Sequence, residues 1–111
     1  MRREELLSLR LHEAVAEKLQ SSPELIERVA GKVERLYQMG QLHPYYREAW
    51  LNWLTLSVDE QVSKLVSVDE ESISLRQTSP FAGFLSIQER MSVLRSFKEE
   101  WASRCDATHR P

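Results

Sequence analysis

The segment Thr78–Leu85 reads Thr-Ser-Pro-Phe-Ala-Gly-Phe-Leu and interrupts a chain that is otherwise patterned as helix. Its proline and glycine disfavour helical structure. Its two phenylalanines and its leucine are large apolar side chains, which usually lie inside a fold. We therefore expect a structured elbow between two helices, pinned into the core by these apolar side chains.

Helix starts lie on both sides of this elbow, at three Ser-x-x-Glu sequences. In such a capping box the serine and the glutamate satisfy each other's backbone donors, and nearby acidic residues complement the positive end of the helix dipole. The three boxes begin at Ser57, Ser67 and Ser86. They predict helices over Val58–Val66, Val68–Gln77 and Ile87–Ser103. The buried face of the last helix is predicted to carry Met91, Leu94, Phe97 and Trp101.

Towards the N-terminus, apolar residues recur every four positions, at Leu7, Leu11, Val15 and Leu19. This spacing predicts an amphipathic helix over Glu4–Gln20. His12 lies among the glutamates of this helix, and we expect it to be a solvated surface residue.

A second helix is predicted after Ser22-Pro23, where a serine and a proline favour a new start. Gly40 is expected to end it in the left-handed conformation. Gly31, within the helix, indicates either a close helix crossing or a weak point. His43-Pro44 marks the next boundary, and an aromatic-rich helix is predicted from Pro44 onwards.

Composition agrees with a small helical domain. The chain has 111 residues, of which 41% are hydrophobic and 29% charged, and its formal net charge is −2. Three glycines and four prolines are too few for a turn-rich β-sandwich or barrel. The predicted fold class is all-α, a compact bundle of five or six helices with short connections. Residues 1–104 are expected to form one domain and residues 105–111 a frayed tail.

Several function classes are disfavoured by what the sequence contains. The one cysteine, Cys105, excludes an intramolecular disulfide framework and a multi-cysteine zinc site. The three histidines have no metal-ligand spacing, and there is no glycine-rich phosphate loop. We therefore expect no catalytic residue, no metal site and no cofactor. No apolar run approaches the length of a membrane helix or a signal core, so a cytoplasmic protein without membrane contact is expected.

A DNA-associated transcriptional regulator is the alternative to be weighed. The predicted helices over Val58–Val66 and Val68–Gln77 could be drawn as a helix-turn-helix, but the turn between them would be shorter than that motif requires. Residues 44–86 also carry three basic against six acidic side chains. Because a DNA-contacting surface needs clustered lysine and arginine, nucleic acid is a disfavoured partner.

Protein binding fits the composition better. Tyr45, Tyr46, Trp50 and Trp53 lie too close together for all of them to face the core side of one short helix. Aromatic residues are common anchors of protein interfaces. We expect Tyr45 and Tyr46 at the rim of such an interface. The tryptophans, Trp101 included, are open to either a core or an interface role.

Three stretches of the chain also resemble a group of short bacterial helical proteins. The first is Leu11–Leu19, Leu-His-Glu-Ala-Val-Ala-Glu-Lys-Leu, and the second is His43-Pro44-Tyr45-Tyr46 with Trp50. The third is Leu75–Leu85, with its Leu-Arg-Gln-x-Ser-Pro-Phe-Ala-Gly motif, followed by Glu89-Arg90. Members of the group usually have an aromatic residue next, where this chain has Met91.

Those relatives are similar to the antitoxin members of bacterial toxin–antitoxin gene pairs. The resemblance implies a non-catalytic protein that neutralises a partner toxin by direct binding. It points to Arg76, Gln77, Ser79 and Phe81 as partner-binding residues, beside Tyr45 and Tyr46. The alternative is structural: Arg76 caps a helix C-terminus and Phe81 fills the core. The sequence also leaves open whether the first helix packs on its own domain or on a second copy, as a homodimer.

Overall fold

The computed structural model describes the backbone of residues 2–109 and the side chains of residues 2–105. Over these residues the chain forms six α-helices and no β-strand, which confirms the predicted all-α bundle. The elements are α1 (Arg3–Ser21), a 3₁₀ turn (Pro23–Ile26), α2 (Glu27–Gln38), α3 (Pro44–Leu54), α4 (Val58–Leu65), α5 (Glu70–Gln77) and α6 (Ile87–His109). Within the described range, no helix combines the length and the apolar character that crossing a membrane requires.

Helix α1 occupies the centre of the bundle. It contacts α4, α5, α6 and the 3₁₀ turn of its own chain, while α2 pairs with α3. The side chains of α1 that turn inward are Leu6, Leu9, His12, Val15, Ala16 and Leu19. The first helix therefore packs on its own domain.

The main core is organised around the elbow, Thr78–Leu85. Phe81 lies edge-on to Trp50 and Trp53 of α3 and to Phe84, with ring centroids 5.2–5.8 Å apart. Edge-to-face packing is a favoured arrangement of aromatic rings. Trp50 and Trp53 are almost completely buried. The prediction of an elbow pinned into the core is confirmed, and these two tryptophans belong to the core.

A smaller cluster fastens α6 to α1. It consists of Leu6, Leu9 and Phe97, with Trp101 half-buried against it. Met91, predicted to face the core, is 52% exposed and that prediction is wrong. The reason is that α6 packs chiefly on one helix, so its contact face is narrower than a helix inside a bundle would present.

The predicted helix starts are confirmed at two of the three boxes. Ser57 Oγ accepts from Glu60 N, and Ser86 Oγ accepts from Glu89 N while Glu89 Oε1 accepts from Ser86 N. The third prediction is wrong. Helix α5 begins at Glu70, because the Asp69 carboxylate accepts from Ser72 N at 2.8 Å and replaces Ser67 as the cap.

Two glycines answer the questions raised by the sequence. Gly40 has φ +72°, and its N–H and that of Gln41 bond to the carbonyls of Tyr37 and Leu36. The left-handed Gly40 predicted for the end of the second helix is confirmed, and the two bonds form a Schellman motif. A Cβ built at Gly31 meets nothing within 4 Å, so no close crossing explains this glycine.

The last helix is longer than predicted, since α6 runs to His109 rather than ending at Ser103. Residues 110–111, within the tail predicted to fray, lie outside the described residues. Fraying of residues 105–111 stays a prediction.

Candidate functional site

The structure places the His12 side chain in a different environment from the one the sequence predicts. His12 was expected on a solvated surface, but its side chain is only 6% exposed. The ring lies edge-on to Phe81 with centroids 5.9 Å apart. His12 therefore belongs to the contact between α1 and the elbow, and the expectation of a solvated residue is wrong.

The hydrogen bonds of His12 fix its tautomer. Nδ1 lies 2.7 Å from the carbonyl oxygen of Ser8, and Nε2 lies 2.8 Å from Ser79 Oγ. Because a carbonyl oxygen only accepts, Nδ1 carries the proton, and Nε2 accepts from the Ser79 hydroxyl in the neutral ring. Ser79 Oγ in turn accepts from Phe81 N at 3.2 Å. The pair thus holds the elbow against α1.

The charge around His12 opposes protonation. Burial lowers the pKa of His12 below its ordinary 6.5, the Ser8 carbonyl partly offsets this, and the nearby Arg76 guanidinium lowers it further. A histidine that serves as general base for a serine becomes a cation during the reaction, usually with a third group to stabilise it. The cation nearby disfavours that state, so the arrangement is suited to fixing structure.

Arg76, one of the predicted partner-binding residues, is buried with 4% exposure. Its Nη1 donates to the carbonyl oxygens of Leu65 and Ser67, at 3.0 and 2.6 Å. These carbonyls lie at the C-terminal end of α4, where cationic side chains are favourable. Arg76 therefore has the structural role that the sequence analysis gave as the alternative.

The other predicted residues of this region differ in their exposure. Phe81 is 5% exposed and fills the core, again the structural alternative. Ser79 is half-buried and bonded to His12. Gln77 is exposed at the end of α5. Among the four partner-binding residues predicted in the Leu75–Leu85 motif, Gln77 is therefore the most exposed.

Tyr45 and Tyr46 lie in the first turn of α3. Tyr45 is 65% exposed, whereas Tyr46 is half-buried and packs against the main core. Their rings meet edge-on with centroids 5.1 Å apart. The predicted rim position is therefore fully open only at Tyr45.

Two residues that the sequence analysis did not single out accompany Tyr45. Tyr37 and Met39, at the end of α2, are 39% and 56% exposed. The three side chains lie where α2 turns into α3, and we name them the apex surface (Tyr37, Met39 and Tyr45). Large apolar side chains exposed at one helix–helix turn of a small domain are suited to an interaction surface.

The apex surface has a rigid support. The Schellman turn at Gly40 follows α2, and His43 Nδ1 accepts from Tyr45 N at 3.0 Å to cap α3. The Arg47 guanidinium lies 4.9 Å from the centre of the Tyr37 ring. Arg47 is itself held by Glu34, 2.6 Å away.

A separate cleft lies between α1, the elbow and the start of α6. Its volume is about 240 Å³. Its lining residues are Leu11, His12, Val15, Ser79, Phe81, Ala82, Gly83, Leu85 and Arg90. The cleft therefore adjoins the His12–Ser79 bond, and it has an arginine at its edge.

The connection between α4 and α5 is longer than the sequence predicts, which bears on the DNA-binding alternative. Because α5 begins at Glu70, four residues, Val66–Asp69, join the two helices, so the prediction of a turn too short for a helix-turn-helix is wrong. Asp69 caps α5 and Glu70 and Glu71 begin it, so negative charge still lies where a recognition helix would meet DNA. No group of three or more potential metal-ligating side chains occurs among the described residues.

The residues missed from the sequence had weak signals. Tyr37 follows Val33 by four positions, a spacing typical of the apolar side of a helix, but such spacing does not distinguish the centre of the apolar stripe from its edge. Met39 lies between the helix end and Gly40, a place where apolar residues commonly pack. Its exposure depends on the angle at which α3 leaves the turn, which local sequence does not specify.

The chain matches no protein-family model, no curated protein and no solved structure.

Proposed function

We propose that this protein is a non-catalytic binding module that neutralises a partner toxin by direct contact, with the apex surface as the centre of the interface. The observation that carries the proposal is the joint exposure of Tyr37, Met39 and Tyr45 on a rigid helical turn. The resemblance of the Leu-Arg-Gln-x-Ser-Pro-Phe-Ala-Gly motif to antitoxin proteins supplies the class of partner.

The chemistry of the apex surface suits a protein partner. Tyrosine, methionine and arginine are enriched at interfaces, and tyrosine offers a large contact area with few rotatable bonds. Arg47 lies beside Tyr37 and makes ion pairs with Glu34 and Glu48, so it adds a charged edge to the surface. This combination of an apolar centre with a polar rim is typical of a specific interface.

Preorganisation supports the same proposal. Association loses less free energy to ordering when the contact residues are already fixed. Here the Gly40 turn, the His43 cap and the Arg47–Tyr37 stack hold the apex before a partner arrives. Neutralisation would be stoichiometric, because it requires only that this surface cover or distort the toxin.

The remaining predicted residues have different parts in this proposal. Gln77 and half-buried Tyr46 are secondary contact candidates, since each offers some surface. Arg76, Ser79 and Phe81 act through the fold, because they hold α4, α1 and the elbow in place. Substituting them would weaken binding only by unfolding the domain.

The experiment has two stages. The tagged protein is captured from its native host, and the candidate partner is the product of a neighbouring gene recovered in stoichiometric amount. That product is then expressed alone, where it should stop growth, and together with this protein, where growth should return. Tyr45→Ala should abolish the rescue while leaving the thermal unfolding temperature unchanged.

The matched control is Tyr46→Phe, which preserves the packed ring beside Tyr45 and should rescue growth fully. Two results contradict the proposal: no neighbouring gene product is recovered, or Tyr45→Ala and a Met39→Ala, Tyr45→Ala double variant neutralise as well as the unaltered protein.

A further inference from the structure

From the geometry of the cleft between α1, the elbow and α6, we infer that it is a binding site for a small carboxylate with an aromatic or branched apolar body. The inference is independent of the proposed function, because the cleft is formed by elements other than the α2–α3 turn. It rests on the size of the cleft, its apolar walls and the Arg90 guanidinium at its edge.

The walls of the cleft suit an apolar body. Leu11 and Val15 line it from α1, and Phe81 and Leu85 line it from the elbow. Its volume is about 240 Å³, and an apolar cavity of about 150 Å³ already holds benzene. A ring with one carboxylate group therefore fits the space.

The two polar side chains on the inner wall, Ser79 and His12, have no hydrogen left to donate. The Ser79 hydroxyl donates to His12 Nε2, and His12 Nδ1 donates to the Ser8 carbonyl. Burial lowers the pKa of His12 below its ordinary 6.5, which disfavours the protonated form that would carry a second N–H. This wall therefore contributes shape and acceptors, and the charge that selects a ligand must come from the edge.

Arg90 supplies the cation. It lines the cleft and its side chain is exposed, and no hydrogen bond or ion pair of its guanidinium occurs among the described residues. Arginine binds carboxylates through two parallel hydrogen bonds, so an unoccupied guanidinium beside an apolar cleft matches an amphipathic acid.

Lys32 of α2 contacts the turn at the mouth of the cleft but is not one of the residues that line it. Its Nζ donates to the carbonyl oxygen of Ala82 at 3.0 Å and lies 3.9 Å from the position that a Cβ on Gly83 would take. Both Ala82 and Gly83 line the cleft. Gly83 has φ +86° at the third position of the turn closed by Phe84 N and the Phe81 carbonyl, where a side chain would be strained. The turn thus keeps this edge free of side-chain bulk.

The carboxylate next in sequence to Arg90 is already paired. Glu89 is bound by Lys18 at 2.6 Å and by Ser86 N at 2.7 Å. Glu89 therefore does not occupy the Arg90 guanidinium, which is left to bind an anion.

Titration of the ¹⁵N-labelled protein with benzoate, followed by amide chemical shifts, tests the inference. We expect shifts at Val15, Ser79, Ala82 and Gly83. Benzylamine and benzyl alcohol share the ring but lack the negative charge, and they should bind at least about tenfold more weakly, as expected for loss of a charged hydrogen bond. Inorganic phosphate, which lacks the ring, should also bind at least about tenfold more weakly than benzoate.

Arg90→Gln should weaken benzoate binding by about tenfold or more. Arg95→Gln is the matched control, because Arg95 is exposed on the same helix and does not line the cleft. Both variants change surface residues, so the fold is preserved. The inference is overturned if benzoate causes no shifts at these residues, if benzylamine or phosphate binds as tightly, or if the two variants behave alike.

Discussion

At the scale of single residues, Phe81 is the centre of the fold. It brings the elbow into contact with rings from α1 and α3, and each edge-to-face pair adds to the free energy gained by burial. Its position also decides between the two roles considered for it, because a side chain that is 5% exposed has little surface for a partner.

Replacing Phe81 with alanine is expected to lower the free energy of unfolding by about 3–5 kcal/mol, because a large cavity opens among the rings. Tyr45→Ala, at the apex surface, should change it by less than about 0.5 kcal/mol. Urea unfolding followed by far-ultraviolet circular dichroism measures both. Equal midpoints for the Phe81 variant and the unaltered protein would show that this ring is not the core residue described above.

His12 predicts how stability depends on pH. In the folded protein its pKa lies below the ordinary 6.5, so the unfolded chain binds more protons at acidic pH. The free energy of unfolding should therefore fall as pH is lowered through 6.5 towards the folded-state pKa, and it should be unaffected by this residue at higher pH.

Urea unfolding at about pH 5 and about pH 7.5 measures this dependence. His12→Gln removes the titrating group and retains hydrogen-bonding capacity, so its stability should change less between the two conditions. If both proteins lose the same free energy on acidification, the pH dependence originates elsewhere.

The burial of His12 could not be predicted from its neighbours in sequence. Glu13 and Glu17 suggested a polar surface, but His12 lies on the same helical face as Leu9 and Ala16, which are buried. Its decisive partner, Ser79, is 67 positions away in the chain. Local pattern gives the period of a helix, whereas the identity of a distant hydrogen-bond partner depends on how the helices assemble.

At the scale of elements, helix starts were the most predictable features. Ser57 and Ser86 both cap their helices as expected, because capping depends on groups three residues apart, and at Ser86 the reciprocal bond to Glu89 completes the box. The start of α5 differs because Asp69 offers a carboxylate to Ser72 N, and Ser67 Oγ donates to that carboxylate instead of capping the helix. Two local acceptors competed, and the charged one forms the stronger bond to a helix N-terminus.

This competition gives a prediction for α5. Asp69→Ala should lower the free energy of unfolding by about 0.5–2 kcal/mol, the usual range for loss of an N-cap. Ser67→Ala should have a smaller effect, because Ser67 only supports the cap. Thermal unfolding of the two single variants shows which substitution costs more stability. A larger loss for Ser67→Ala would mean that Ser67, as the sequence predicts, is the N-cap.

At the scale of the whole molecule, the bundle has two apolar clusters of unequal size. The larger one contains side chains from each of the helices α1, α2, α3, α4 and α5 and from the elbow. The smaller one joins α6 to α1. Ion pairs support the second contact, since Arg10 donates to both carboxylate oxygens of Glu100. The sequence predicted which helix faces are apolar. The central place of α1 depended on long-range contacts that periodicity does not encode.

Phe97→Ala should therefore loosen α6 without unfolding the remainder. We expect amide hydrogen exchange to quicken in α6 by about tenfold for each 1.4 kcal/mol lost, while amides of α3 keep their protection. Phe97→Leu, which refills most of the space, is the control. An equal loss of protection in α3 and α6 would mean that the two clusters unfold as one unit.

The three tryptophans are divided between these clusters. Trp50 and Trp53 lie in the large cluster with their indole N–H groups bonded to Thr78 Oγ1 and the Gln61 carbonyl, whereas Trp101 is half-exposed beside Phe97. The molecule thus carries its own fluorescent reporters. Buried Trp50 and Trp53 should emit at shorter wavelength, and half-exposed Trp101 should be more accessible to added quenchers. Emission from a Trp101→Phe variant would follow the main bundle alone, and the difference from the unaltered protein would follow the docking of α6.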